Sequence, residues 1–344
     1  MLGISAYFNS LDLDYIKAAA QHGARYVFTS LQLPEDDLTQ TKTNLLKLIA
    51  VCEENDLILV PDISPQAFDH LGLAQGDFDA LRALGLKAIR LDYGFDDWDL
   101  LVSLQQTFTL FINASTIDED YLSKAGQHGL KIADLHAAHN FYPKSDTGLA
   151  PTYFRALNHR FLGSGVQLLA FIPGDELKRY PFYAGLPTLE DQRGQVPLVS
   201  AVQLINDYQV DDILCGDSKI KLTTLAAIRD YQDQRVLTIP VIDVNMPANL
   251  FNQEQPVRKE VSEKLVRLNV PRVPEVEISE TGDRPLGTIT QDNRLAARYS
   301  GEVQISKRDL PFSAESNIIG YVHPAYLGLL PYIDGKTRIR FVKA

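Results

Sequence analysis

Cysteine is nearly absent. Cys52 and Cys215 are the only two in 344 residues, too few for a disulfide framework, and their scarcity points to a reducing compartment. Cys215 lies inside an apolar run, where a thiol acts as a small hydrophobe rather than a nucleophile. Basic residues are also short, with 33 Lys and Arg against 44 Asp and Glu and a net charge of −11. Without a basic stripe the chain is expected to bind neither nucleic acid nor a membrane surface. A few local Arg or Lys residues can still serve a small anionic ligand. No apolar stretch reaches the ~20 residues of a membrane span. Met1–Ile4 already reads as a first strand rather than a leader, so a cytoplasmic location is expected. Glycine-rich phosphate loops, a dinucleotide fingerprint and a G-x-S-x-G elbow are all missing. No cofactor is expected.

What is present is a recurring unit. Short apolar runs stop on a polar residue: LGISAY at Tyr7, RYVFTS at Ser30, LILVPD at Asp62, KAIRLD at Asp92, FTLFIN at Asn113, KIADLH at His136, QLLAFIPGD at Asp175 and DDILCGD at Asp217. Each has the length and branched content of a buried strand, and helix-like sequence lies between most of them. Helices are expected at about 12–20, 39–55, 77–84, 118–128 and 152–162, with Gly23, Gly85 and Gly129 as terminators. Eight such units predict a TIM-like (β/α)8 barrel whose strand ends ring an active site. The long segments 136–151 and 173–197 follow the sixth and seventh strands, where long loops are commonly functional.

The pattern changes near Gln234. From there VLTIPVIDV, VPEVEIS, GTITQDN, GEVQISK, NIIGYV and TRIRFVKA read as strands between Gly, Pro, Asp and Asn clusters. The chain thus divides into an α/β barrel over 1–234 and a smaller β-rich domain over 235–344.

Carboxylates dominate the expected ring: Glu35, Asp62, Asp92, Asp175, Glu190 and Asp217. Two of them across a substrate, one protonated and one ionised, would suit glycosidic bond cleavage. The plainer role for each is to cap the next helix or pair with an Arg. His136 and His139 have a metal-like gap but no third ligand at a recognisable spacing, so no metal site is expected. Acid–base or hydrogen-bonding work suits His139 and Asn140 better. Arg90, Lys144 and Arg179 are the cations placed to meet an anion.

The residues resemble the bacterial 6-phospho-N-acetylmuramidase family along nearly the whole chain. The matching blocks are GISAY (3–7), FTSLQLPED (28–36), DISP (62–65), RLDYG (90–94), NAS (113–115), HNFYP (139–143), TGL (147–149), GLPTLE (185–190) and GD (216–217). They continue in GTITQDN (287–293), RYSGEVQI (298–305) and LLPY (329–332). The resemblance implies a barrel followed by a cyclophilin-like domain. It also implies hydrolysis of 6-phospho-N-acetylmuramyl-N-acetylglucosamine, a phosphorylated amino-sugar disaccharide, during peptidoglycan recycling. The catalytic pair would come from Glu35, Asp92, Asp175 and Glu190. Ser5, Tyr7, Ser30, Asp62, Arg90, Asn113, His139, Asn140, Lys144, Arg179 and Asp217 would contact substrate. Phosphate and lactyl carboxylate would each need a cation.

Three positions depart from the family pattern: Lys144 stands where Arg is expected, Gln32 where His is expected, and Gln192 where His is expected. Two rival readings stay open. One is a sugar-phosphate isomerase, epimerase or lyase, with a metal on His136, His139 and a carboxylate. The other is a non-catalytic muropeptide-sugar binding protein. For the second domain the alternatives are a lid contributing Asn293, Arg294 or Arg298, or a homodimer contact.

Overall fold

A computed structural model describes residues 1–32 and 40–344. Eight parallel strands close into a barrel: β1 Leu2–Ser5, β2 Tyr26–Ser30, β3 Ile58–Ile63, β4 Ala88–Leu91, β5 Thr109–Asn113, β6 His136–Ala138, β7 Gln167–Ile172 and β8 Asp212–Cys215. Closure comes from β1 pairing with β8, with Leu2 opposite Ile213 and Gly3 opposite Leu214. Gly3 cannot carry a side chain there, since a Cβ would stand 2.6 Å from Leu214 Cδ2 and 2.8 Å from Tyr26 Cβ.

The barrel is filled rather than hollow. Tyr26, Phe111 and His136 form its lower aromatic layer, with the His136 ring stacked 4.5 Å from Phe111. Phe28 and Phe171 form the upper one, 5.2 Å apart, and Phe141 from the loop after β6 closes over both at 5.7 and 5.1 Å. Such edge-on contacts match positive ring rims to negative faces.

The sixth strand corrects the reading from sequence. The run KIADLH was expected to end a strand at His136, but 132–134 is a 3-10 turn and the strand begins at His136. The two histidines therefore fall at opposite ends of β6. They cannot share a metal, and among the described residues no group of three His, Cys, Asp or Glu is placed to hold one.

Three of the helices between the strands begin where an Asp side chain accepts an otherwise unpaired amide. α1 Leu13–Gln21 is capped by Asp12 on Tyr15 N at 3.0 Å. The cover continues with α2 Thr41–Glu54 and α3 Pro65–Leu71. Asp77 caps α4 Phe78–Ala83 on Ala80 N, and Asp97 caps α5 Trp98–Thr107 on Leu100 N, both at 2.9 Å. Each such cap is worth about 1 kcal/mol. The rest are α6 Tyr121–Gln127, α7 Pro151–His159, α8 Pro197–Tyr208 and α9 Leu222–Gln234.

Two compact units result, Met1–Arg229 and Asp230–Ala344. The second is a seven-stranded mixed sheet. Its strands are β9 Val236–Asp243, β10 Glu254–Pro256, β11 Leu265–Arg267, β12 Thr288–Asp292, β13 Val303–Ser306, β14 Ser316–Val322 and β15 Arg338–Lys343. They lie in the order β10-β15-β9-β14-β12-β13-β11, with β15 and β9 parallel. The segment 273–279, expected as a strand, is irregular and carries Glu275 at φ +56°. At the centre of this unit Glu302, 3% exposed, accepts from Arg258 (3.2 Å), Arg267 (2.7 Å) and Arg272 (2.7 Å).

Candidate active site

A cavity of about 580 Å3 opens at the C-terminal end of the barrel. Phe28, Phe141 and Phe171 form its apolar floor. Ser30, Asp62, Arg90, Asp92, His139 and Asn140 supply polar groups from the ends of β2, β3, β4 and β6, and Gln32, Gln66, His70, Tyr93 and Tyr142 complete the wall.

Register builds its centre. In the β3–β4 ladder Asp62 pairs with Arg90, so both side chains point inward at the same level. Arg90, 2% exposed, places its guanidinium 2.5 Å from Asp62 Oδ1 and 3.7 Å from Asp92 Oδ1. Its other terminal nitrogen donates to Asn140 Oδ1 (2.6 Å) and to the Ala138 carbonyl (3.2 Å). Both terminal nitrogens of Arg90 are thereby committed to protein partners.

Asp92 accepts from Asn113 Nδ2 at 2.9 Å and from Gln32 Nε2 at 3.0 Å, and the same Nε2 reaches Asp62 Oδ2 at 3.3 Å. One amide thus ties two carboxylates together. Among the described residues Gln32 Oε1 is buried without a partner, an acceptor left for a ligand N–H or O–H. Burial pushes Asp62 up to about 6, against the pull of Arg90, and the Asp92 charge adds to the rise. The pair thereby has one member biased toward the protonated form and one more open to the cavity, since the Asp92 side chain is 23% exposed against 10% for Asp62.

His139 is a strut. Asn158 Nδ2 donates to the Tyr208 carbonyl, so Asn158 Oδ1 accepts from His139 Nε2 at 2.8 Å. The remaining nitrogen, Nδ1, then accepts from Ser115 Oγ at 3.1 Å. Burial, with a smaller push from Arg90, drives His139 down to about 3, and a neutral imidazole so placed orients Asn140 rather than moving protons. Ser115 Oγ completes the brace by accepting the Asn140 N–H at 2.9 Å.

Several residues expected at the site do other work. Asp175 accepts from Lys221 N (2.8 Å) and Thr224 Oγ1 (2.7 Å), fixing the start of α9. Asp217, fully buried, takes the amides of Gly174 (2.8 Å) and Arg179 (2.9 Å). Ser5 and Tyr7 each donate to β8 and its exit, at Cys215 O and Gly216 O, both 2.6 Å.

Glu190 is gripped by Arg193 at 2.6 and 2.7 Å and by the amides of Asp146 and Gly148. A Cβ at Gly148 would stand 2.6 Å from its carboxylate. Hydrogen bonds from Arg193 lead the causes that hold Glu190 down at about 2, the wrong protonation state for an acid. Its role is to staple the 142–148 loop. Glu35 lies outside the described residues. Gln192, fully buried, donates to Ser200 O and Gln203 Oε1, so that departure concerns helix packing and not the cavity.

Of the three cations expected at the site, Lys144 and Arg179 have no ion-pair partner among the described residues. Lys144 is exposed on the stapled loop, two residues past Tyr142. Arg179 is 4% exposed, its guanidinium 4.3 Å over the Tyr7 ring and 5.8 Å from Phe141, with Nε lacking any partner. Sequence reasoning missed Gln66, His70, Tyr93 and the aromatic floor, whose only signal was position just after a strand.

A closed parallel barrel with paired carboxylates on a buried arginine at its mouth has the frame of a carbohydrate-active enzyme. The chain belongs to the 6-phospho-N-acetylmuramidase family: the model of the family's N-terminal part matches residues 2–230, and that of its C-terminal part residues 237–342. The family's name supports a glycosidase. Among solved structures, a conserved Enterococcus faecalis protein of unknown function is similar, at 29% identity and TM-score 0.87, covering 100% of this chain and 96% of its own. An uncharacterised B. cereus protein is 25% identical with TM-score 0.78, covering 99% of each chain. No curated protein matches.

Proposed function

We propose that the protein hydrolyses the glycosidic bond of 6-phospho-N-acetylmuramyl-N-acetylglucosamine, inside the cell and as a step of peptidoglycan recycling. The observation that carries this reading is the Asp62–Asp92 pair held by Arg90 and Gln32 in the barrel cavity. Asp62, biased toward the acid form, donates a proton to the leaving sugar oxygen. Asp92, between two amide donors, faces the positive charge that develops at the anomeric carbon. Both carboxylates accept from one nitrogen, which keeps the two oxygens closer than the roughly 6.5 Å minimum of an inverting pair. The arrangement therefore suits retention, with the second carboxylate or the sugar's own acetamido group meeting the anomeric carbon.

Arg179 and Lys144 are the cations available for the phosphate and the lactyl carboxylate. Lys144 binds as a point charge without the bidentate geometry of Arg. Glu35 stays in the catalytic pool until its variant is compared with those at Asp62 and Asp92.

The test is turnover of the phosphorylated disaccharide beside its unphosphorylated counterpart, with and without EDTA. Cleavage of the phosphorylated sugar alone, indifferent to chelation, is expected. Folded protein that cleaves neither overturns the reading.

A further inference from the structure

A second cavity, of about 430 Å3, lies at the same end of the barrel, between the loops that follow β1, β7 and β8. Its wall holds Asn9, Ser10, Leu177, Tyr180, Tyr183 and Ser218. Tyr180 is 50% exposed and Tyr183 58%, a pair of aromatic faces 6.2 Å apart turned to solvent instead of the core. The segment that carries them is built to hold this pose. Asp217 takes the Arg179 amide at one end and the Leu186 amide at the other. The Tyr183 N–H closes the turn on the Arg179 carbonyl at 3.0 Å. Tyr183 itself sits at φ +52°, a left-handed conformation that a bulky residue adopts only when its surroundings impose it.

No carboxylate lines this cavity among the described residues, and its one cation, Lys178, already faces Asp217 at 3.5 Å. Hydroxyls, an amide and aromatic faces without free charge match a neutral pyranose, whose apolar ring face packs on tyrosine while its hydroxyls meet Ser and Asn. Arg179, between Lys178 and Tyr180 in sequence, lies over Tyr7 and near Phe141, which lines the carboxylate cavity. We infer that this second cavity is the subsite for the neutral leaving sugar, an N-acetylated hexosamine, while the charged sugar occupies the carboxylate cavity. The inference rests on the hydrolase reading above.

The experiment compares kcat/KM for the disaccharide with that for the glycosyl fluoride of 6-phospho-N-acetylmuramic acid, whose leaving group is a single atom. Tyr183→Ala is expected to lower the disaccharide-to-fluoride ratio at least tenfold. Phe182→Ala, on the same segment and also 58% exposed but not lining the cavity, is expected to leave the ratio unchanged. A ratio unmoved in Tyr183→Ala, or lowered equally in both variants, overturns the assignment. If the wild-type protein cleaves neither substrate, the hydrolase reading fails, and saturation-transfer NMR with N-acetylglucosamine decides the subsite alone. A signal present in wild type and lost in Tyr183→Ala supports it, and no wild-type signal overturns it.

Discussion

Arg90 decides what the carboxylates beside it can do. It is buried, and its four contacts fix Asp62, Asp92, Asn140 and the end of β6 in one frame. Two acids on one cation leave one charge in excess, and the less exposed acid, Asp62, is the one pushed up to about 6. An acid that must be protonated to act loses activity as pH rises through its pKa, so kcat is expected to fall above about pH 6. The substrate phosphate also ionises near pH 6, so the limb belongs to Asp62 only if Asp62→Asn flattens it. A limb that survives in that variant would remove Asp62 as the donor. Asp92→Asn keeps the shape of the side chain but can accept from only one of the two amide donors, and it is expected to lower kcat by about 10²–10⁴-fold, with an unchanged circular dichroism spectrum. A smaller loss than that of Glu35→Gln would move the role to Glu35.

The loops and strands set distances that no residue sets alone. Pairing of Asp62 with Arg90 across β3 and β4 brings the two acids close, and proton NMR of the first product is expected to show the anomeric configuration of the substrate. Inversion would rule out this pair as the complete catalytic set. The staple at Glu190 acts at the same scale. Its pKa falls from 4.5 to about 2, so its stabilisation is full above pH 4.5 and is lost as pH drops toward 2. Allowing for water at a side chain one quarter exposed, Glu190→Gln is expected to cost on the order of 2 kcal/mol at pH 7. That gap, read by urea unfolding, closes near pH 2. Equal stability at neutral pH would show that the loop needs no staple. Much of this frame was legible. Strand-end position singled out Asp62, Asp92 and Asn113 because side chains at the tip of a barrel strand face the mouth. The same rule misled at Asp175 and Asp217, which lie past the ends of β7 and β8, where the chain has bent and bare amides claim the carboxylates. It slipped at β6 because an apolar run reads alike as strand or 3-10 turn. Gln32 was visible only as a departure, since its bond to two acids depends on tertiary closeness that no local pattern encodes.

At the scale of the molecule, the two compact units hold their polar centres by opposite means. The barrel places two carboxylates around one arginine, and the sheet unit places three arginines around one carboxylate. In the first, burial, with the charge of the second acid adding to it, raises Asp62 toward the working range of a proton donor. In the second, Glu302 is held down at about 2 and stays ionised, so it serves as a fixed anchor for β11, β13 and the 268–274 segment. Removing a buried charge from such a cluster costs about 3–5 kcal/mol, because the partners left behind repel one another without compensation. Glu302→Gln is therefore expected to lower hydrogen-exchange protection of the β11–β13 amides by about a hundredfold or more. Amides of β1–β8 belong to the other unit and are expected to keep their protection. Equal loss across both units would show that they unfold as one cooperative body, and the barrel's site would then depend on the arginine cluster for its stability.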